Sequence, residues 1–122
     1  MGTFRVGCEI ENPLRRTKSA KIPNLLIDVG GECTWVSQHL LREIGIKPEK
    51  KDVPFLMANG NTVTRNIGFA ILRFGEHFTI DEVVFAQDGD LCLLGARTLE
   101  GMNLRVDPRG KKLVAAGPVP AA

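Results

Sequence analysis

Cysteine is scarce in this chain, and its placement excludes more than its number does. Cys8, Cys33 and Cys92 are odd in count and widely spaced. No disulfide framework is expected from them, and no C-x-x-C pair or Cys/His cluster offers a zinc site. The thiols are expected to act as small apolar side chains. Histidine is equally sparse. His39 and His77 lie far apart, which suggests neither a metal centre nor a Cys-His nucleophile pair. No apolar run approaches the roughly 18 residues of a membrane span. A one-sided charge is lacking too: the 16 Lys and Arg stand against 14 Asp and Glu, giving +2. That balance announces neither nucleic acid nor an anionic membrane as a partner. Met1–Asn12 alternates apolar and polar residues where a signal peptide needs a continuous apolar stretch. Met1-Gly2 is followed by Val6, where an N-myristoylation site wants Ser or Thr. The expected compartment is the cytoplasm.

What is present suits one packed domain. The 122 residues are 43% hydrophobic and 25% charged, too apolar for a disordered chain and too short for two full domains. The domain is expected over residues 1–114, with 115–122, rich in Ala and Pro, as a loose tail.

Phe4, Val6, Cys8 and Ile10 alternate with polar or small residues, the period of a half-buried strand, and Asn12-Pro13 marks a turn. Arg15, Arg16, Lys18 and Lys21 read as a solvated hairpin loop; a phosphate patch would want interleaved aromatics. Asn24-Leu25-Leu26-Ile27 is a short run suited to a strand buried on both faces, ending in Asp28-Val29-Gly30-Gly31. A strand around Cys33–Val36 leads to Ser37, a good N-cap. Leu40, Leu41 and Ile44 share one helical face, with Gly45 placed as the C-cap. Asn59-Gly60 signals a type I′ hairpin between two strands. Period two continues through Val63, Ile67, Phe69 and Ile71. Gly75-Glu76 turns the chain, and Thr79–Phe85 supplies more strand. Asp88-Gly89-Asp90 turns it again. Leu91–Gly95 reads as an apolar strand and Ala96–Glu100 as a short helix. Asp107-Pro108-Arg109-Gly110 fits a type I turn joining two last strands. A faint repeat pairs Gly30 with Gly89, Cys33 with Cys92 and Leu40 with Leu99 at one common offset. Each half reads strand, glycine turn, apolar strand, short helix. The fold class is mainly β, with one or two short helices.

Asp28 is the residue that asks for a chemical reading. Taken alone, Asp-x-Gly is an aspartate that bonds its own turn. In its context, Leu25-Leu26-Ile27-Asp28-Val29-Gly30, then strand and helix, then a hairpin, then Leu93-Leu94-Gly95 and a second helix resemble the retropepsin-like, single-lobe aspartic proteases. The resemblance spans about Phe4 to Val114. It is strongest over Leu25–Trp35 and Leu93–Leu113, where LLGARTLEGMNLRVDPRGKKL looks like the family's second glycine strand, helix and closing hairpin. It implies a small closed β-barrel whose active site needs a dimer, with Asp28 of each chain as the catalytic pair. It implies Val29, Gly30 and Gly31 as the active-site loop. Glu32 would meet the substrate backbone, and Met57, Ala58, Asn59 and Gly60 would form the flap over a peptide. The implied partners are a peptide or protein substrate and a second copy of the chain. No nucleic acid, membrane, metal or organic cofactor is implied. One chain of this length supplies one such carboxylate loop, so two-fold symmetry must supply the other.

The chain departs from that pattern at two points. The family motif carries Thr or Ser where this chain has Val29. Val has nearly the same shape but no hydroxyl, so a cross-dimer hydrogen bond is missing. Ala96 follows Gly95 where the family has Arg, and Arg97 comes one position late. A peptide-binding or dimerisation module with little catalysis is therefore the alternative reading. A β assembly domain with Asp28 as a turn residue is a third. His39 reads as a helix surface residue, His77 as a hairpin residue, and Trp35 as core or interface. Asp81, Glu82, Asp88 and Asp90 read as turn and loop charges. Lys111-Lys112 reads as an exposed edge.

Overall fold

The computed structural model describes residues 3–121. Met1, Gly2 and Ala122, on which parts of the acylation and tail expectations rest, lie outside the described residues. In chain order the elements are β1 (Arg5–Asn12), β2 (Arg15–Ile27), β3 (Thr34–Ser37), α1 (Gln38–Glu43), β4 (Lys50–Leu56), β5 (Thr62–Phe74) and β6 (His77–Ala86). They continue with β7 (Leu93–Leu94), α2 (Ala96–Gly101), β8 (Leu104–Asp107) and β9 (Lys112–Ala115). The mainly-β expectation holds.

Seven strands form one sheet in the order β1-β2-β7-β3-β6-β5-β4, and β1 also pairs with β5. That extra pairing closes six strands into a ring, with β4 hanging from the far half of β5. β8 and β9 form a separate hairpin. The ring has two parallel joints: Leu26 and Ile27 pair with Leu93 and Leu94, and Thr34–Ser37 pairs with Val83–Ala86. Between them, Trp35 meets Leu93 antiparallel. The faint repeat has its counterpart here. β2, loop, β3, α1 and β6, loop, β7, α2 swap partners, each first strand pairing with the other half's second.

Alternation decides what faces inward. Ile10, Val36, Leu41, Ala70, Leu72, Val83 and Phe85 pack as one core cluster beneath α1. A second holds Leu25, Ile27, Leu94, Leu99, Met102 and Leu104 beneath α2 and the β8–β9 hairpin. Trp35, Ile67, Val84 and Ala86 form a third, against which Phe55, Met57 and Val63 of the β4–β5 hairpin pack. Burying each large aliphatic side chain contributes about 1.5–3 kcal/mol before conformational entropy is charged.

Four local expectations are corrected. Arg15–Lys21 is not a loop but the first part of β2. It pairs with β1 from Arg15 to Leu26 and is mostly exposed, so its charges mask any alternation. Leu91–Gly95 is not a full strand: only Leu93–Leu94 fits between β2 and β3, and Leu91 is exposed. The Asn59-Gly60 turn is not type I′. Gly60 N–H donates to Met57 C=O (2.9 Å) and Met57 N–H to Asn61 C=O (2.8 Å), with positive φ at Gly60 alone. That is a type I turn closed by a glycine bulge. Asn59 instead uses its Oδ1 to accept Asn61 N–H at 2.9 Å. Ser37 occupies the N-cap of α1, yet its side chain makes no capping bond. Gly45 has φ +80 after that helix, as expected of the residue ending it.

The chain end is partly tied. Ala115 belongs to β9, Ala116 N–H donates to Asn103 C=O (2.9 Å), and Asn103 Nδ2 donates to Gly117 C=O (2.6 Å). Among the described residues no helix is long and apolar enough to cross a membrane.

Candidate active site

Asp28 follows directly on β2, where that strand runs parallel to β7. Its N–H donates to Leu94 C=O at 3.1 Å, so the ladder itself fixes the backbone of the aspartate. The side chain is half-buried. Oδ1 accepts Gly30 N–H at 3.0 Å, and Gly31 N–H closes the turn onto Asp28 C=O at 3.2 Å. Oδ2 has no hydrogen-bond partner among the described residues. One carboxylate oxygen therefore holds the loop and the other stays available.

Glycine has different reasons along this loop. A Cβ on Gly30 would sit 3.2 Å from Asp28 Oδ1, crowding the bonded oxygen. A Cβ on Gly31 would meet nothing closer than 3.6 Å, at Leu93 Cδ1, so that position tolerates a methyl. Val29 points outward and is 45% exposed. Glu32 is exposed, and its carboxylate forms no ion pair among the described residues.

The loop is braced from behind by β7 and α2. Ala96 N–H donates to Gly31 C=O (2.8 Å) and Arg97 N–H to Glu32 C=O (3.1 Å). Gly95 passes so close that a Cβ there would lie 2.5 Å from Cys33 O and 2.6 Å from Glu32 O. Beneath these bonds runs a polar relay that the sequence did not reveal. Gly95 N–H donates to Thr34 Oγ1 (3.0 Å), which lies 2.6 Å from Thr98 Oγ1, and Thr98 Oγ1 donates to Asp81 Oδ2 (2.9 Å). Thr98 gives its proton to the carboxylate, so Thr34 must donate to Thr98, and each oxygen is satisfied in one direction. Both threonines are fully buried. Asp81 is therefore no turn charge: it sits within β6 and anchors the relay. The only sequence signal was Thr34 beside the apolar Trp35-Val36 pair; Thr98, between Arg97 and Leu99, gave none.

The Met57–Gly60 tip sits at the end of the β4–β5 hairpin. Met57 packs toward the Trp35 cluster, while Ala58, Asn59 and Gly60 are exposed. Trp35 is buried and meets Phe55 edge-on, with ring centroids 5.2 Å apart. The hairpin is held to the body by Arg65. Its Nε and Nη2 reach Asp90 Oδ2 and Oδ1 at 2.7 and 2.9 Å, and Asp90 also accepts Gln87 N–H. Asp90 thus clamps the hairpin to the turn before β7, a role beyond that of a loop charge.

The Arg65 hydrogen bond holds the Asp90 carboxyl below its ordinary range, helped by Gln87 N–H and opposed by burial. A depressed carboxylate stabilises the folded chain fully above its unfolded value, near 4, and that contribution vanishes as pH falls through the lowered folded value. Arg65→Met is expected to cost about 2 kcal/mol at neutral pH and to flatten the acid limb of a urea-unfolding series. Glu11, held low chiefly by Arg73, keeps part of that slope. An unchanged acid limb would remove the clamp from the account.

The three cysteines are free. Burial pushes the Cys8 thiol up to about 11. Burial also raises Cys33, although Arg97 Nη1 lies 3.8 Å from its sulfur and works the other way. Arg97 thus reaches Cys33 rather than the Glu32 carboxylate. His39 is an exposed partner of Asp88 at 3.2 Å. Among the described residues no three His, Cys, Asp or Glu side chains are grouped to hold a metal ion. Two grooves of about 680 and 320 Å³ open on the surface, and Asp28 lines neither.

No family model and no curated protein matches this chain.

Proposed function

We propose that the chain is one protomer of a homodimeric aspartic endopeptidase of the retropepsin-like type. The observation that carries this reading is the Asp28 carboxylate. It is fixed by Leu94 through the backbone and by Gly30 through Oδ1, with Oδ2 unengaged. The ring of strands, the two short helices and the β4–β5 hairpin suit the small closed barrel that such a protomer would have.

One carboxylate cannot perform the reaction alone. Two of them about 3 Å apart share a single proton, because like charges that close cannot both ionise. The ionised Asp28 takes a proton from a water, and that water's oxygen bonds to the peptide carbonyl carbon. The protonated Asp28 of the partner gives its proton to the carbonyl oxygen. Collapse of the resulting gem-diol breaks the C–N bond, and the amine leaves with a proton returned through the pair. In this reading Met57–Gly60 closes over the peptide and Glu32 meets its backbone. The test is hydrolysis of a fluorogenic peptide mixture from acid to neutral pH by wild type and Asp28→Asn. Undiminished turnover by the variant would falsify the proposal.

Val29 favours a second reading, a peptide-binding or dimerisation module with little catalysis. Its side chain is 45% exposed and carries no hydroxyl to tie two loops across a symmetry axis. Val29→Thr, which falls on both chains, is expected to tighten the dimer about a hundredfold, the equivalent of two hydrogen bonds near 1.4 kcal/mol each. Sedimentation equilibrium measures the dimer and the peptide assay measures turnover. A wild type without turnover and a Val29→Thr variant that acquires it would favour the second reading.

A further inference from the structure

The groove of about 680 Å³ lies where the outer edge of β5 changes partner. β5 pairs with β4 as far as Ile67 and with β1 from Ile71 onward. Phe74 and His77 flank a two-residue turn, so even-numbered β5 residues aim their backbone groups at β6 and odd-numbered ones at the other edge. Glu49 N–H donating to Ile67 C=O at 2.7 Å fits that alternation. Phe69 therefore presents its N–H and C=O to the gap, and neither has a backbone partner there among the described residues. Prolines account for the gap. Continued by two residues, the β1 register would set Pro13 opposite Phe69, and the β4 register would set Pro48 there. Neither has an N–H to offer.

The gap is lined by exposed apolar side chains and by cations. Leu14, Phe69 and Ile80 line it and are 89%, 42% and 64% exposed. Arg15, Lys18 and Lys47 line it as well, and none forms an ion pair among the described residues. Glu49 is the one acid on the lining. No residue of the Asp28 loop or the Met57–Gly60 tip takes part.

We infer that this groove is a docking site for an extended peptide segment in which large apolar side chains alternate with acidic ones. The segment pairs its backbone with Phe69, seats its apolar side chains against Leu14, Phe69 and Ile80, and sets its carboxylates against Arg15, Lys18 and Lys47. Only Phe69 is free on that edge, between Ile67 and Ile71, so the segment crosses the edge and bonds to that one residue instead of adding a full strand, and its alternate side chains supply the selectivity. The site is independent of proteolysis.

The probe is a fluorescein-labelled hexapeptide alternating glutamate and leucine, read by anisotropy against the full chain. It is expected to bind at least tenfold more tightly than its lysine-leucine counterpart and to weaken as salt is raised. The triple variant Arg15→Glu/Lys18→Glu/Lys47→Glu alters only exposed side chains. It should keep its thermal midpoint and lose binding at least tenfold. A probe N-methylated at its central leucines should lose binding to a similar degree, because it cannot donate to Phe69 C=O. Equal binding of both probes, or full binding by the N-methylated one, overturns the site. So does an oligomer that the triple variant dissolves, since a second copy would then be the occupant. Binding of dodecanoate without binding of the acidic probe likewise overturns it.

Discussion

Asp28→Asn is expected to reduce peptide hydrolysis by at least about a thousandfold while leaving the protein folded. The substitution is close to isosteric. Asn keeps a carbonyl oxygen that can accept Gly30 N–H as Oδ1 does at 3.0 Å, and the backbone bond to Leu94 is untouched. The structural cost is therefore about 0.5 kcal/mol or less. The chemical cost is of another order. In a symmetric dimer the change falls on both chains, so neither a base nor a shared proton remains, and general acid–base assistance is worth about 10²–10⁴. Turnover and thermal midpoint measured together separate the two roles of the residue. A variant that stays folded and loses turnover supports the dyad. A variant that unfolds shows that Asp28 is chiefly a turn residue.

Gly95→Ala should be the most damaging single methyl in the chain. Gly95 has φ −90 and ψ 174, an extended conformation open to any residue. The cost is thus steric and not conformational. The added Cβ would stand 2.5 Å from Cys33 O, 2.6 Å from Glu32 O and 2.7 Å from Cys33 C. These are backbone atoms and cannot rotate away. Relief requires the 31–34 segment to leave α2, breaking the bonds from Ala96, Arg97 and Gly95. A loss of about 3 kcal/mol follows, lowering the melting temperature by roughly 10 °C in a chain of this size. Gly31→Ala is the control. Its Cβ meets only ordinary contacts, the nearest at 3.6 Å, and a change within about 0.5 kcal/mol is expected. Calorimetry on the two variants decides the matter; equal melting temperatures would mean that the close approach is not real.

Much of the strand pattern was legible because it is local. Period two marked β1 and β5, and glycine with asparagine or aspartate marked the turns. A leucine pair with Ile44 marked α1. Local reading failed where exposure hid the period, as in Arg15–Lys21. It failed again where a side chain competed for the turn, as Asn59 does with Asn61. The candidate site divides the same way. The Asp28 turn is a contact over two residues and could be read. The Thr34–Thr98 bond spans 64 residues and the Arg65–Asp90 pair 25, and no pattern within either segment encodes its partner.

The linear order of residues determined by itself that this is a mainly-β chain, that one carboxylate follows its buried Leu25–Ile27 run, and that a valine follows that carboxylate. Those depend on side-chain chemistry and on neighbours a few bonds away. The folded chain alone decided that β2 and β7, and β3 and β6, lie parallel, that Gly95 has no room for a methyl, and that Phe69 has no strand on its edge away from β6. Each of these is a meeting of distant segments, set by which apolar faces could be buried together and by where proline ended the pairing.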